Sequence, residues 1–372
     1  MCRRILILFL LALALAPPHH AEAEIRIGFA SHLSGPYAAS GARNRIAAAM
    51  AVRDLNRKGG VLGEKLALIA ADDACGIEQA VAAARKLVDA GVRLVVGHAC
   101  SHSSLMAAGI YETADVLMIS PSSTHPRLTE EGRSNVFRLV GRDDEQGDLA
   151  GDLLADRFAG QKIAILHDDS VYGEGLAART RHRLRQHGVG EALYGAYESG
   201  AKDHSTLVAR LQSAGIDVLY IGGSGPDAGL ILRTARERGD DLQLIGGDGL
   251  GMDEFWMIAG STGNGTIFSS RRGATVLPEA AAILARFEER GLEPRTNGLG
   301  SYAAIQVWAQ AVERAESLRP AAVAAMLRRG RFDSVLGPVA FDDKGDLEGA
   351  GWQWQVWRNQ DSVPLDQLLA WQ

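Results

Sequence analysis

Leu94-Val95-Val96-Gly97-His98-Ala99-Cys100-Ser101-His102-Ser103-Ser104 and Val116-Leu117-Met118-Ile119-Ser120-Pro121-Ser122-Ser123-Thr124-His125-Pro126 share one pattern. Each opens with a short run that is apolar at every position and then breaks into a hydroxyl-rich turn. A run without polar alternation marks a strand covered on both faces, as in a parallel sheet. Two such strands ending side by side would put Ser and Thr hydroxyls next to free backbone N–H groups, a small cradle for an anion. Ser101 begins a polar turn ahead of an apolar helical segment, the position of an N-cap. A carboxylate there would meet unpaired N–H groups and the positive end of the helix dipole.

Working outward, the same alternation of strand and helix continues in both directions. Upstream, Ile25–Phe29 and Leu66–Ala71 predict strands, and Ala42–Lys58 and Glu78–Ala90 predict helices, the first stopped by Gly59-Gly60. Val136–Leu139 closes this series. A second series follows, with strands at Ile163–Asp168, Ala192–Tyr197, Val218–Gly222 and Leu242–Gly247. Helices at Gly175–Gln186, Thr206–Ala214 and Ala228–Arg238 separate them. This is a doubly wound α/β pattern written twice. Helices at Glu279–Arg290, Ser301–Glu316 and Ala321–Arg328 and a strand at Trp352–Trp357 close the chain without starting a third series, so the chain is expected to cross back between two domains. In doubly wound sheets ligands sit beyond the carboxyl ends of the strands. The polar segments 34–40, 100–104, 122–124, 168–172, 223–226 and 248–251 all follow apolar runs, which predicts an interdomain cleft.

Composition limits the function classes. The first residues read as an export leader: Arg3-Arg4, an apolar run from Ile5 to Ala16, then Ala21-Glu22-Ala23. Twelve apolar residues are short of the ~20 that span a bilayer. Cys2 precedes the apolar run, so it is not placed like a lipid-anchored cysteine. Cleavage near Ala23 would leave about 350 residues, more than one core usually organises. The net charge of −6 becomes −7 without Arg3, Arg4 and Glu22, and no basic block argues for nucleic acid. The two remaining cysteines, Cys75 and Cys100, form an even count in an exported chain and suggest a disulfide. His98-x-Cys100-x-His102 also has the look of a metal cluster, but an oxidised Cys100 cannot ligate and two His alone make a poor site. No cofactor is expected. Gly222-Gly223-Ser224-Gly225-Pro226 fails the nucleophile-elbow pattern at its last position, and no phosphate loop is present. An exported hydrolase therefore has no motif behind it.

Ser34-Gly35-Pro36, Lys58-Gly59-Gly60-Val61-Leu62-Gly63, Asp72-Asp73-Ala74-Cys75, Gly97-His98-Ala99-Cys100-Ser101, Met118-Ile119-Ser120-Pro121, Tyr172-Gly173-Glu174-Gly175 and Lys344-Gly345-Asp346-Leu347 resemble, in order, the periplasmic branched-chain amino-acid binding proteins. The resemblance implies a type I periplasmic binding fold: two doubly wound α/β lobes joined by a three-strand hinge. Residues 24–143 with 272–349 would form lobe one, and 144–271 with 350–372 lobe two. It implies a periplasmic monomer that delivers a small ligand, an amino acid, to an ABC transporter permease. Ser101 and Thr124 match hydroxyls that hold the ligand carboxylate, and Ser122, with Ser123 beside it, matches a position of backbone contacts. Tyr172 matches an aromatic laid over the ligand. Asp248 stands where the family has a Glu for the ammonium, and Cys75 and Cys100 match the family disulfide. Ser40 and Ser224 fall where the family carries aromatics against the ligand side chain. Those two changes remove apolar surface worth about 25 cal/mol per Å² and point to a wetter or wider pocket for a larger, aromatic or more polar ligand. Tyr37 is near enough in sequence to compensate. The same lobes could also serve a ligand-sensing receptor partner.

Overall fold

The computed structural model describes residues 24–272, 277–290 and 296–369. The leader reading of residues 1–23 lies outside them.

The chain runs β1 (Glu24–Ser31), α1 (Ala38–Arg57), β2 (Lys65–Asp72), α2 (Ile77–Asp89), β3 (Leu94–Val96), α3 (Ser101–Thr113), β4 (Leu117–Ser120), α4 (Arg127–Glu130) and β5 (Val136–Arg138). These strands form one parallel sheet in the order β2-β1-β3-β4-β5. Then come α5 (Asp143–Phe158), β6 (Ile163–His167), α6 (Val171–Gln186), β7 (Leu193–Ala196), α7 (Ser205–Ala214), β8 (Val218–Gly222), α8 (Gly225–Glu237), β9 (Gln243–Gly246), α9 (Asp253–Ala259) and β10 (Ile267–Arg271). The last part contains α10 (Pro278–Glu288), α11 (Thr296–Ala315), α12 (Pro320–Arg329), the hairpin β11 (Arg331–Ser334) and β12 (Gly337–Ala340), then β13 (Trp352–Arg358), β14 (Asp361–Pro364) and α13 (Leu365–Leu369). The second sheet runs β14-β13-β10-β9-β8-β6-β7, parallel from β10 to β7 and antiparallel at β13 and β14.

The apolar strands behave as their sequence requires. Every residue of β3, β4 and β8 is buried. Each sheet is covered on both faces, which divides the core into two layers per lobe. One layer packs β1, β3 and β4 against α1, α11 and α12, so the last third of the chain returns to the first sheet. The other covers the opposite face with α2 and α3. The second sheet lies between α5–α6 and α7–α9. Trp357, on β13, is fully buried against Phe255 and Phe268 and donates to the Leu250 carbonyl at 2.8 Å, tying the chain's return to lobe two.

Both sheets reverse direction at one point. Strands β2 and β3 flank β1, and β7 and β8 flank β6, so the loops after β1 and β3, and after β6 and β8, diverge and leave a crevice.

Helix α5 has no clear signature in the sequence, because Gly147 and Gly151 read as helix breakers. The structure supplies the reason for both. A Cβ on Gly147 would fall 2.7 Å from the side chain of Arg179, and one on Gly151 would fall 2.8 Å from the Leu184 nitrogen. Glycine here lets α5 and α6 approach at backbone distance. Around that seam Asp148 pairs with Arg179 at 2.5 Å and Asp152 with Arg183 at 2.6 Å.

Cys75 and Cys100 are bridged, with Cα atoms 5.6 Å apart. The bridge staples the loop after β2 to the loop after β3. His98 and His102 are committed elsewhere: His98 Nδ1 to Asp73 at 2.6 Å, His98 Nε2 to the Tyr111 hydroxyl at 2.9 Å, and His102 Nε2 to the Cys75 carbonyl at 2.5 Å. Replacing both cysteines by Ser is expected to lower unfolding free energy by about 3 kcal/mol, from the loop entropy returned to the unfolded chain. Urea unfolding of the variant and of the oxidised protein would read that difference.

Candidate functional site

The site is assembled from loops at strand ends. On lobe one, Ser101 is the first residue of α3, and the N-cap is Cys100, held extended at φ −82°, ψ 136°. The expectation that Ser101 caps the helix is therefore displaced by one residue, to Cys100. The Cys100 side chain makes no cap bond, and the Ser101 hydroxyl accepts from the His125 N–H at 3.4 Å. Ser122 donates to the Ala99 carbonyl at 3.2 Å. Ser123 is fully buried; its hydroxyl donates to the His98 and Ala99 carbonyls at 3.1 Å and its N–H to Ser120 Oγ at 2.9 Å. Ser123 thus holds the two turns together from inside.

Arg138 fixes the same loop from beneath. It is fully buried, donating from Nη1 to the Ser123 and His125 carbonyls at 3.2 and 3.0 Å and from Nε to Asp346 at 2.5 Å. Nothing in the sequence marked Arg138, since an Arg after two apolar strand residues reads as a solvent-facing end.

Thr124 joins the loop to lobe two. Its carbonyl accepts from the Asp143 N–H at 3.0 Å, at the start of α5. Gln146, one turn on, is buried and bridges two carboxyl groups: its Nε2 lies 3.0 Å from Asp143 Oδ1 and 3.2 Å from Asp248 Oδ1. Its Oε1 accepts from the Asp248 N–H at 2.7 Å. Tyr172 completes the group. Its hydroxyl accepts from the Gly249 N–H at 3.1 Å and so directs its proton to Asp248 Oδ1 at 2.8 Å. Asp143 Oδ2 is buried without a partner. Ser101, Ser122, Thr124, Tyr172 and Asp248 therefore belong to one continuous cluster, with Asp143 and Gln146 as members sequence reasoning did not find. Their only local signal is an acidic first turn of α5, which reads equally well as helix-dipole complementation.

Burial pushes the Asp143 carboxyl well above the ordinary range and the Asp248 charge adds to it, while the Thr124 hydroxyl and Arg138 pull the other way. Burial also raises Asp248, against the hydrogen bonds from Tyr172 and Gln146. Two neighbouring buried carboxyls resist a double negative charge. Without a cation between them, the folded protein holds more protons than the unfolded chain above the ordinary carboxylate range. The ligand-free fold is therefore most favoured below that range and loses this contribution as pH rises through the raised values. A cationic group brought between them would supply the missing positive charge and expel the proton. Affinity for an amine-bearing ligand is expected to rise with pH across that window, with proton release on binding. Calorimetry in two buffers of different ionisation enthalpy measures it.

The remaining two positions lie one strand over, in a second group. Ser40 sits in the first turns of α1 and is buried. Its N–H donates across the cleft to Glu254 Oε1 at 2.9 Å and its hydroxyl to the Tyr37 carbonyl at 2.9 Å. Ser224 precedes α8 and donates to Asp227 at 2.9 Å. Tyr37 packs edge-on to His32 with ring centres 5.6 Å apart and brings its hydroxyl to Ser224. It thus occupies space beside both positions that carry Ser. Arg43 pairs with Asp253 at 2.6 Å, a second bond across the cleft.

This architecture has relatives. The family model described as periplasmic binding protein matches residues 24–357. The chain belongs to the periplasmic binding protein family. It is 39% identical over 348 residues to the Leu/Ile/Val-binding protein homolog 1 of Brucella suis biovar 1 (strain 1330), covering 93% of this chain and 94% of that protein. It is 38% identical to the leucine-, isoleucine-, valine-, threonine-, and alanine-binding protein of Pseudomonas aeruginosa, covering 88% of each. Among solved structures it resembles a leucine binding protein from Thermotoga maritima MSB8, with TM-score 0.83, 27% identity and coverage of 91% of this chain and 97% of that one. It also resembles an ABC transporter substrate-binding protein from Desulfitobacterium hafniense in complex with Leu, with TM-score 0.75, 30% identity and coverage of 92% and 100%. As a periplasmic binding protein it has the expected type I fold, two α/β lobes closing a cleft between strand ends.

Proposed function

We propose that this protein captures an amino acid in the cleft by hinge closure and delivers it to an ABC permease. The observation that carries the reading is the pairing of opposite chemistries across one gap. Lobe one offers hydroxyls and N–H groups at the start of α3, and lobe two offers the Asp248 carboxylate. A zwitterion satisfies both ends, with its carboxylate near Ser101 and Thr124 and its ammonium on Asp248, under Tyr172. The names of the relatives support the same ligand class.

Closure follows from the contacts that depend on it. The Ser40–Glu254 and Arg43–Asp253 bonds join α1 to the α9 segment and are lost when the lobes separate. A ligand held by both lobes binds the closed form better, so it shifts the hinge toward it. The hinge lies near residues 143, 272 and 349, where the chain passes from one lobe's core to the other's. The Cys75–Cys100 bridge suits the oxidising periplasm, reached after cleavage near Ala23. A monomer is sufficient, since one chain supplies both halves of the cleft. The reading is capture without chemistry.

Titration calorimetry of the mature chain against the common amino acids tests it. Saturable heat with at least one is expected. No heat and no thermal shift with any would sink the amino-acid reading.

A further inference from the structure

Where a branched aliphatic tail would want apolar walls, the cleft's second group is polar and short of donors. Glu254 is 4% exposed; Oε1 is used by Ser40, and Oε2 is buried without a partner. Tyr197 is 6% exposed and its hydroxyl is likewise buried and unpartnered. It lies against the bare backbone of Gly223, where a Cβ would stand 2.2 Å from that hydroxyl and 3.0 Å from Asp168 Oδ2. Asp168 is buried and uses Oδ1 for the Ser170 N–H at 3.2 Å. The Tyr37 hydroxyl sits among these groups, within electrostatic reach of Asp168, Asp227 and Glu254.

Several neighbouring donors are already spent. Asp227 takes Ser224 at 2.9 Å, Ser199 at 3.2 Å and the Gly200 N–H at 3.0 Å. Arg43 is on Asp253, and His32 Nε2 is on Ser40 Oγ at 3.1 Å. A buried carboxylate oxygen left without a donor is costly, and a ligand that supplies the donor recovers that cost. A site built to hydrogen-bond a polar group also discriminates strongly against an analogue that lacks it.

We propose, resting on the amino-acid reading above, that the preferred ligand's side chain ends in an N–H donor, an amide, guanidinium or ammonium group. Glu254 Oε2 receives it, in the group around the Tyr37 hydroxyl that also holds Asp168. The branched-chain tail is the weaker ligand here.

Calorimetry of the mature chain with leucine, glutamine and arginine decides this. Glutamine or arginine is expected to bind at least about tenfold tighter than leucine. Glu254→Gln keeps an acceptor for the Ser40 N–H but replaces Oε2 by a donor. It should weaken the N–H-tailed ligand by about tenfold or more and leave leucine within about twofold. Tyr197→Phe, which removes only the hydroxyl, should weaken the same ligand and spare leucine. Leucine binding equally well or tighter would overturn the proposal while leaving the amino-acid reading intact. Equal losses for all ligands in Glu254→Gln would reduce Glu254 to a closure contact and overturn it as well. Silence toward every amino acid would overturn both.

Discussion

Asp248→Asn is expected to lower affinity for an amino acid by about a thousandfold, close to 4 kcal/mol, while changing affinity for the matching simple carboxylate by less than about threefold. The hydrogen-bond directions make the prediction specific. Tyr172 accepts from the Gly249 N–H, so its proton points to Oδ1; Gln146 Nε2 also donates there. Both donors require an oxygen at that position, so the Asn amide nitrogen is forced to the Oδ2 side. There it presents N–H to an ammonium, donor against donor, in place of a charge pair. Removing one member of a buried charged pair typically costs 2–5 kcal/mol or more. The ligand-free variant should be at least as stable as the parent, because burial already disfavours the Asp248 charge. Calorimetry with an amino acid and with its deaminated analogue, together with a thermal melt, separates the cases. Equal losses for amine and carboxylate would remove Asp248 from the ammonium role.

Asp346→Ala is expected to cost about 3–5 kcal/mol of folding free energy. Asp346 lies between β12 and β13 and takes the Arg138 Nε at 2.5 Å and Arg142 at 2.8 Å; it also accepts from Thr129 at 2.9 Å. Arg138 is fully buried and burial already pulls its pKa down against the support of Asp346. Without that carboxylate a guanidinium remains in the core with only neutral partners, carbonyls and the Thr129 hydroxyl. A buried ion pair replaced on both sides by apolar residues is often neutral. Here the double variant Arg138→Met, Asp346→Leu should remain destabilised, because the Ser123 and His125 carbonyls lose the Arg138 donor, the second keeping the Leu128 N–H. Those carbonyls belong to the turn that carries Ser122 and Thr124. Ligand affinity should therefore fall in the double variant even under conditions where it is folded. Urea unfolding and calorimetry on both variants measure the two effects; a double variant with unchanged affinity would show that Arg138 does not position the turn.

Much of the fold was legible because its signals are local. Val218–Gly222 is apolar at every position and is buried at every position. Helices such as α2 and α7 fall within a residue or so of where their apolar spacing places them. Helix α5 was hidden because its two glycines serve α6, a partner invisible to a local pattern. The short hairpin β11–β12 was hidden because four-residue strands carry too little alternation to stand out.

The candidate site divides the same way. Ser101, Ser122 and Thr124 announce themselves by following apolar strands, and the Cys75–Cys100 pairing follows from a count of two. Asp143, Gln146, Glu254 and Tyr197 do not. Gln146 meets Asp248 across 102 residues of chain, and Ser40 meets Glu254 across 214. Sequence by itself determined the strands, the covered sheets and the polar turns at their ends, since each depends on residues a few positions apart and their exposure to water. Only the tertiary structure decided which carboxyl oxygens keep a partner and which face the cleft without one. That depends on how many donors both lobes bring to one point, and no stretch of either lobe contains that number.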